Sequence, residues 1–268
     1  MNKYAILLPS YNSKLEEVIN TFEELPKDAT ICVVDDGSAM PFQVVAKDII
    51  KNFSNIEIIR FEKNRGIEAA LNAGLNFLLD KVDFIARLDV GDSCRIERFE
   101  QQVNFLEKNP DYSIVGCWAN FVDENKKFLF EKQMPVEHES IIKRMYINNM
   151  FVHPSVMMRS ESIRKVGNYT DNYSACEDYD LFFRLLKVGK GKNLPFAWID
   201  YEVNFKSISS LKRRNQVVNR LKIISKNFNF VSYGFYPYYG IARNIMFLFI
   251  SRNMTTFIQK IKSDFSKS

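Results

Sequence analysis

The chain has 268 residues, 46% of them apolar, 14% aromatic and 26% charged. That is long enough to bury a substantial core, and it excludes a disordered chain, a disulfide-dense miniprotein and a collagen-like repeat. The net charge of +5 is unevenly spread: residues 206–268 hold 12 Lys/Arg and one acid, Asp264, leaving residues 1–205 with 25 basic against 31 acidic side chains.

The first 90 residues alternate short apolar runs with helical spacing. Tyr4–Leu8 reads as a strand, Leu15–Leu25 as a helix, Thr30–Val34 as a strand and Gln43–Phe53 as a helix. Ile56–Phe61 is a third strand, Gly66–Leu79 a helix and Val82–Leu88 a fourth strand. Such alternation predicts an α/β fold, a parallel sheet with helices on both faces, whose ligands bind at the carboxyl ends of the strands. A helix from Arg95 to about Lys108 stops at Asn109-Pro110, and Ser113–Val122 pairs with Lys127–Phe130 around a turn. His138–Met150 is helical, Ser155–Met158 a strand, Glu177–Lys187 a helix ended by Gly189, Phe196–Phe205 a last strand and Leu211–Phe228 a basic helix. The apolar run before Pro9 is too short for a signal-peptide core, and no run approaches the roughly 20 apolar residues that span a bilayer. Four scattered Cys without a C-x-x-C pair, and only two His, disfavour a zinc site and read as reduced thiols of a cytosolic protein.

Three acidic clusters fall at element ends. In Asp35-Asp36-Gly37-Ser38 a carboxylate can accept the imide N–H of uracil or thymine, or simply cap a helix. In Asp89-Val90-Gly91-Asp92, two acids three apart can hold Mg²⁺ or Mn²⁺ against a diphosphate, or close a capped turn. In Glu177-Asp178-Tyr179-Asp180 a carboxylate can act as general base on a hydroxyl, or the acids can complement the helix dipole. There is no nucleophile elbow, P-loop or G-x-G-x-x-G, which disfavours hydrolase, NTPase and dinucleotide readings. His153, Trp118 and Trp198 read first as structural residues.

Six segments occur in order: Pro9-Ser10-Tyr11-Asn12, Val33–Ser38, Asn64-Arg65-Gly66 with Leu71-Asn72-Ala73-Gly74, Ala86-Arg87-Leu88-Asp89, His153-Pro154-Ser155-Val156, and Glu177–Leu181. Together, across roughly residues 4–205, they resemble the family 2 glycosyltransferases, inverting enzymes of GT-A fold, such as those of bacterial O-antigen, lipopolysaccharide and capsule assembly. The resemblance implies a Rossmann-like single mixed sheet flanked by helices. The catalytic domain would cover 1–205, with a nucleotide half to about 92 and an acceptor half from about 93. It implies that Pro9, Tyr11 and Asp36 line the nucleobase pocket, that Arg65 contacts the nucleotide, that Asp89 lies by the ribose and that Asp89 and Asp92 hold Mn²⁺ or Mg²⁺. Asp178 would be the base that deprotonates the acceptor hydroxyl. The donor would be a UDP- or dTDP-sugar, and the acceptor a growing glycan on a lipid, polyisoprenyl in type. Two departures stand out: Gly91 occupies the third position of the usual D-x-D, and Phe22–Ala29 lacks the Gln-Thr pair of many relatives.

Residues 206–268 form a basic, aromatic-rich extension, helical at 211–228, with no clean apolar face at 241–262. Its composition suits an anionic membrane surface, placing the protein peripherally at the inner face of the cytoplasmic membrane, or a helical appendage packed on the body. No nucleic-acid-binding motif is present. The competing functional readings are a nucleotidyltransferase-like enzyme, disfavoured by the lack of glycine in Pro9–Lys14, and an inactive nucleotide-sugar-binding relative, suggested by Gly91.

Overall fold

The computed structural model describes residues 3–202, 213–229 and 231–249. The expected boundary at 205, the strand residues 203–205, the helix start at 211–212 and the end of the tail lie outside them. Four strands, β1 (Tyr4–Ser10), β2 (Thr30–Asp35), β3 (Asn55–Arg60) and β4 (Phe84–Arg87), form the parallel half of one sheet, in the order β3-β2-β1-β4. β1, β2 and β4 read as apolar runs because both faces are covered, whereas the edge strand β3 carries the exposed Glu57. Ala5 and Leu7 pack beneath Leu71, Leu75 and Leu78 of α4 (Ile67–Leu78), while Ile6 and Leu8 meet Val18 and Phe22 of α1 (Leu15–Phe22) on the other face. Each of the fully buried Leu, Ile, Val and Phe side chains contributes about 1.5–3 kcal/mol.

Beyond β4 the sheet turns mixed. It continues through β8 (Met157–Arg159), antiparallel to β4, to β6 (Tyr112–Val122), β9 (Lys190–Glu202) and the two-residue β5 (Ser93–Cys94), while β7 (Phe128–Lys132) hangs on β6. Helix α5 (Glu97–Lys108) covers this half on the α1 side, and α8 (Glu177–Val188) lies on the α4 side.

Four expectations shift. The helix expected over 43–53 is two short ones, α2 (Phe42–Val45) and α3 (Lys47–Ile50), broken at Ala46, which is fully buried and non-helical at ψ 4°. Val44, Val45, Ile49 and Ile50 propagate a helix weakly, so the packed Ala46 decides the local path. Helix α6 (His138–Met145) stops five residues early, where the chain turns inward and Phe151 N–H bonds Asn149 Oδ1 at 3.1 Å. Strand β9 starts six residues early, because the pairing with β6 jumps from Leu194 to Ala197 and Pro195, which cannot donate to a ladder, lies in that bulge. Helix α7 (Ser160–Val166), ended by Gly167, was not foreseen.

The tail supplies α9 (Arg213–Lys226) and α10 (Tyr236–Phe249), and both pack on the body. Ile223 and Ile224 are fully buried in the α4-side core. Gln216 and Asn219 donate to the carbonyls of Ala175 and Ser174 at 3.2 and 3.0 Å. Arg243 donates to Ile147 O at 2.9 Å, and Tyr146 hydroxyl to Asn227 O at 2.6 Å. Among the described residues, no helix is long and apolar enough to cross a membrane.

Candidate functional site

The acids of the two strand-end motifs divide their labour. Asp35 is fully buried: its carboxylate accepts the N–H groups of Ser38 and Phe42, both at 2.9 Å, and pairs with Arg60. Burial pushes its carboxyl up, but the hydrogen bonds from Ser38, Phe42 and Arg60 outweigh that and hold it below the usual carboxylate range. Asp35 therefore staples the loop after β2. Asp36 reaches the other way, accepting Arg65 N–H at 2.7 Å on one oxygen and Gly66 N–H at 2.9 Å on the other. A carboxylate offers about four lone-pair sites, so each oxygen keeps one. Asp36 N–H bonds Ser10 O at 2.9 Å, which brings the end of β1, with Pro9 buried and Tyr11 54% exposed, against this loop. The Arg65 guanidinium lies 4.6 Å over the Phe61 ring, at a groove of about 710 Å³ that Glu68, Asn72, Tyr169 and Asp171 also line. Asp36 thus lies between the end of β1, which carries Pro9 and Tyr11, and the Arg65–Gly66 loop.

The turn after β4 holds the second pair. Asp89 pairs with the buried Arg87 at 2.5 Å and keeps a side chain 34% exposed. Asp92 is buried; its Oδ1 accepts Glu202 N–H at 3.0 Å, and its Oδ2 has no hydrogen-bond partner. Burial, then the Asp89 charge, pushes the Asp92 carboxyl well up, against opposing effects of Arg87 and Lys126. An orphan carboxylate oxygen beside a second acid fits a hard divalent cation, which satisfies the oxygen and relieves the repulsion. No group of three or more His, Cys, Asp or Glu gathers as a metal site among the described residues, so a cation here would draw its other ligands from substrate phosphates and water. Gly91 explains why the third acid of the D-x-D is missing. Its φ is +112°, a conformation that disfavours Asp, and its backbone is fully engaged. Its N–H bonds Thr21 Oγ1 at 2.8 Å, and its carbonyl accepts Asn20 Nδ2 at 2.8 Å and Lys126 Nζ at 3.0 Å.

The third cluster opens α8. Asp180 is structural, held by Arg184 at 2.8 Å, while Arg184 also caps the carbonyls of Val166, Gly167 and Asn168. Asp178 faces the site: Oδ2 accepts Asn149 Nδ2 and Oδ1 accepts Tyr179 N–H, both at 2.7 Å. Burial raises its proton affinity, against the lowering pull of the Tyr179 amide, Arg87, Arg220 and Asn149. Glu177 is more enclosed, and burial followed by the Asp178 charge pushes its carboxyl up to about 8. The folded protein keeps a proton there that the unfolded chain releases above about 4.5, so this group removes stability progressively as pH rises toward 8. Glu177→Gln is expected to lack that slope. Its Tm should gain on wild type from pH 4 to pH 9; parallel Tm–pH curves would refute the buried acid.

Several neighbours of Asp178 carried no sequence signal. Tyr201, from the end of β9, feels Asp92, Asp89, Arg87 and Asp178, although burial is the largest influence on its raised hydroxyl pKa. The Lys132 ammonium, 5.3 Å over the Phe121 ring, is depressed by burial and then by Arg220 of α9, and Asp178 opposes both. Lys132 and Arg220 are about 90 residues apart in sequence, so no local spacing could have joined them. His153 lies in a buried 3-10 turn rather than a strand, bonded to Tyr169 hydroxyl at 2.9 Å. Burial and then Arg87 push its pKa well down, leaving a neutral structural imidazole. Trp118 donates to Met134 O at 2.8 Å, and Trp198 stacks on Phe196 at 4.8 Å. All four Cys are buried free thiols.

Three acid-bearing ends thus converge on the carboxyl edge of one sheet, and residues 5–167 match the family described as Glycosyl transferase family 2. The chain belongs to that family. Bacterial glycosyltransferases resemble it over most of its length. The amylovoran biosynthesis glycosyltransferase AmsE of Erwinia amylovora is 27% identical, covering 85% of this chain and 88% of that protein. The UDP-Gal:alpha-D-GlcNAc-diphosphoundecaprenol beta-1,3-galactosyltransferase of Escherichia coli is 28% identical, covering 91% and 89%. Among solved structures, S. aureus TarS 1-349 in complex with UDP-GlcNAc superposes with TM-score 0.68 at 15% identity, over 91% of this chain and 71% of that one. The mannosyltransferase PcManGT from Pyrobaculum calidifontis, in complex with GDP-Man and Mn²⁺, gives TM-score 0.64 at 15% identity, over 93% and 70%. The structural likenesses show the fold, which is the GT-A arrangement implied by the sequence motifs. As a family 2 member the chain is a glycosyltransferase, which removes the nucleotidyltransferase reading.

Proposed function

We propose that this enzyme is an inverting transferase that moves a sugar from UDP or dTDP onto a hydroxyl of a growing, lipid-linked bacterial surface glycan. The observation that carries the reading is the convergence of Asp36, the Asp89/Asp92 turn and Asp178 on one edge of the sheet. The two relatives named for amylovoran biosynthesis and for transfer from UDP-Gal to a diphosphoundecaprenol-linked sugar support the donor and acceptor classes.

In this reading Asp36 accepts the imide N–H of the base, Pro9 and Tyr11 flank the ring, and Arg65 steadies the nucleotide. Asp178, oriented by Asn149 and raised by burial, takes the proton of the acceptor hydroxyl. The acceptor oxygen attacks the anomeric carbon from the face opposite the diphosphate, the carbon–phosphate-oxygen bond breaks, and the nucleoside diphosphate leaves with its electron pair. One displacement inverts the centre. Asp89 and Asp92 would hold a divalent cation, which when bound neutralises charge on the leaving diphosphate. Lys132 and Arg220 place positive charge beside Asp178, where an acceptor's phosphate would be attracted.

The test is a thermal-shift panel of UDP-, dTDP- and GDP-sugars with Mn²⁺, followed by transfer to a polyprenyl-diphosphate-linked sugar. A ligand at 100 times its Kd stabilises by about 2.7 kcal/mol, so a uridine or thymidine donor should stand out. Stabilisation by GDP-sugars alone would overturn the base assignment, and no transfer from any donor would overturn the enzyme reading. For the cation, excess chelator should lower turnover at least tenfold, with recovery on adding Mn²⁺ or Mg²⁺. Undiminished turnover in chelator would remove the role of Asp89 and Asp92. The acidic body and basic tail support a place at the inner face of the cytoplasmic membrane, bound to anionic lipid.

A further inference from the structure

Helix α10 is apolar on both sides. Its inward side packs Tyr236, Pro237 and Ile241 on the body around two small or polar residues: Asn244 is fully buried and donates to Gly240 O at 2.8 Å, and Gly240 lies so close to the body that a Cβ would stand 1.9 Å from Tyr146 O. Its outward side is apolar. Phe235 just before the helix, then Tyr238, Tyr239, Ile245, Met246 and Phe249 follow the helical repeat, with the small exposed Ala242 between the two groups, and the six large side chains are 42% to 84% exposed. In a water-soluble helix packed on a domain the outward side is polar, and a contiguous exposed apolar patch on a soluble protein marks an interaction surface. The sequence led us to expect no clean apolar face over 241–262, a stretch whose first nine residues belong to this helix. The face becomes visible only once Gly240 fixes which side of the helix turns inward.

We infer that this outward stripe is the membrane-docking surface, lying in the interface of an anionic bilayer; the inference deepens the peripheral reading and rests on it. Charge favours lipid over a second copy of the chain. Residues 206–268 carry 12 Lys/Arg and one acid, so stripe-to-stripe pairing would press two basic tails together, whereas anionic headgroups neutralise them. Among the described residues the helix is too short to span: 14 residues rise about 21 Å, against a hydrocarbon core of about 30 Å. Aromatic side chains at this density suit the headgroup level. The chain beyond the stripe keeps the same chemistry, with Met254, Phe257, Ile258, Ile261 and Phe265 among Arg252, Lys260, Lys262 and Lys267. The anchors of the helix also lie close to the chemistry. Arg243 holds Ile147, two residues before the Asn149 that orients Asp178, so a docked α10 keeps the base near the surface that carries a lipid-linked acceptor.

The experiment is vesicle flotation of the full chain, with phosphatidylglycerol-containing and pure phosphatidylcholine vesicles, comparing wild type with the triple variant Phe235→Ser, Met246→Ser, Phe249→Ser. Wild type should float with the anionic vesicles, less so as salt rises, and the variant should partition at least tenfold more weakly with an unchanged circular-dichroism spectrum and Tm. Wild type left unfloated by anionic vesicles overturns the inference. So does a variant that still floats fully but sediments as a monomer where wild type is a dimer, because the stripe is then an interface between copies. Transfer to a short-chain, water-soluble acceptor separates the two readings. Retained transfer with lost flotation supports docking by the stripe. A wild type that floats but transfers nothing sinks the enzyme reading and leaves the docking surface standing.

Discussion

Asp178→Asn should lower kcat by about 10²–10⁴-fold while UDP still stabilises the variant as it does wild type. The amide keeps the shape of the side chain and an oxygen for Asn149, which approaches at 2.7 Å, but it cannot take a proton. In wild type, the acid limb of the kcat–pH profile should lie above the ordinary carboxylate range, because burial raises Asp178 and the adjacent Glu177 is raised with it. The measurement is steady-state transfer across pH alongside donor binding by thermal shift. A variant with wild-type kcat, or one that has lost UDP binding in proportion to activity, would remove Asp178 from the chemistry.

The second large effect is expected at Asp36. Asp36→Asn sets an N–H₂ group against one of two backbone donors, Arg65 N–H or Gly66 N–H, and against the imide of an incoming base. Hydrogen bonds to a charged partner contribute about 1.5–3 kcal/mol, so UDP affinity should fall by about 10- to 100-fold. GDP, which this carboxylate is not placed to select, should lose far less. Equal losses for UDP and GDP would mean that Asp36 only holds the Arg65–Gly66 loop.

The strands of the parallel half were legible because a strand buried on both faces writes itself as an unbroken apolar run, as in Ala5–Leu8 and Ile31–Val34. The three acidic clusters were legible because they fall at element ends. What the sequence could not do was separate neighbours of identical chemistry. Asp35 became a loop staple because Arg60, Ser38 and Phe42 surround it, while Asp36, one residue on, turns toward Arg65. Asp180 went to Arg184, Glu177 into the interior and Asp178 to Asn149. Each choice depends on partners far along the chain. The break at Ala46 and the bulge at Pro195 escaped for the same reason, since tertiary packing overrode local propensity. The basic tail, read as a docking element or a packed appendage, is packed in its described part, and its Arg220 and Arg243 turn toward the body.

The bond between Asp92 Oδ1 and Glu202 N–H joins residues 110 apart, and β5 finds its partner only in the last residues of β9. A ribosome adding about 5–20 residues per second makes the acid turn many seconds before its partner strand exists. Until β9 arrives, Asp92 stays hydrated and unpaired, and the edge of β6 that β9 will occupy is open to other chains. Non-local pairings of this kind also slow folding. The catalytic edge is therefore among the last parts of the molecule to mature, and a nascent chain interrupted before Ile199 would display the nucleotide motifs without an assembled acid turn.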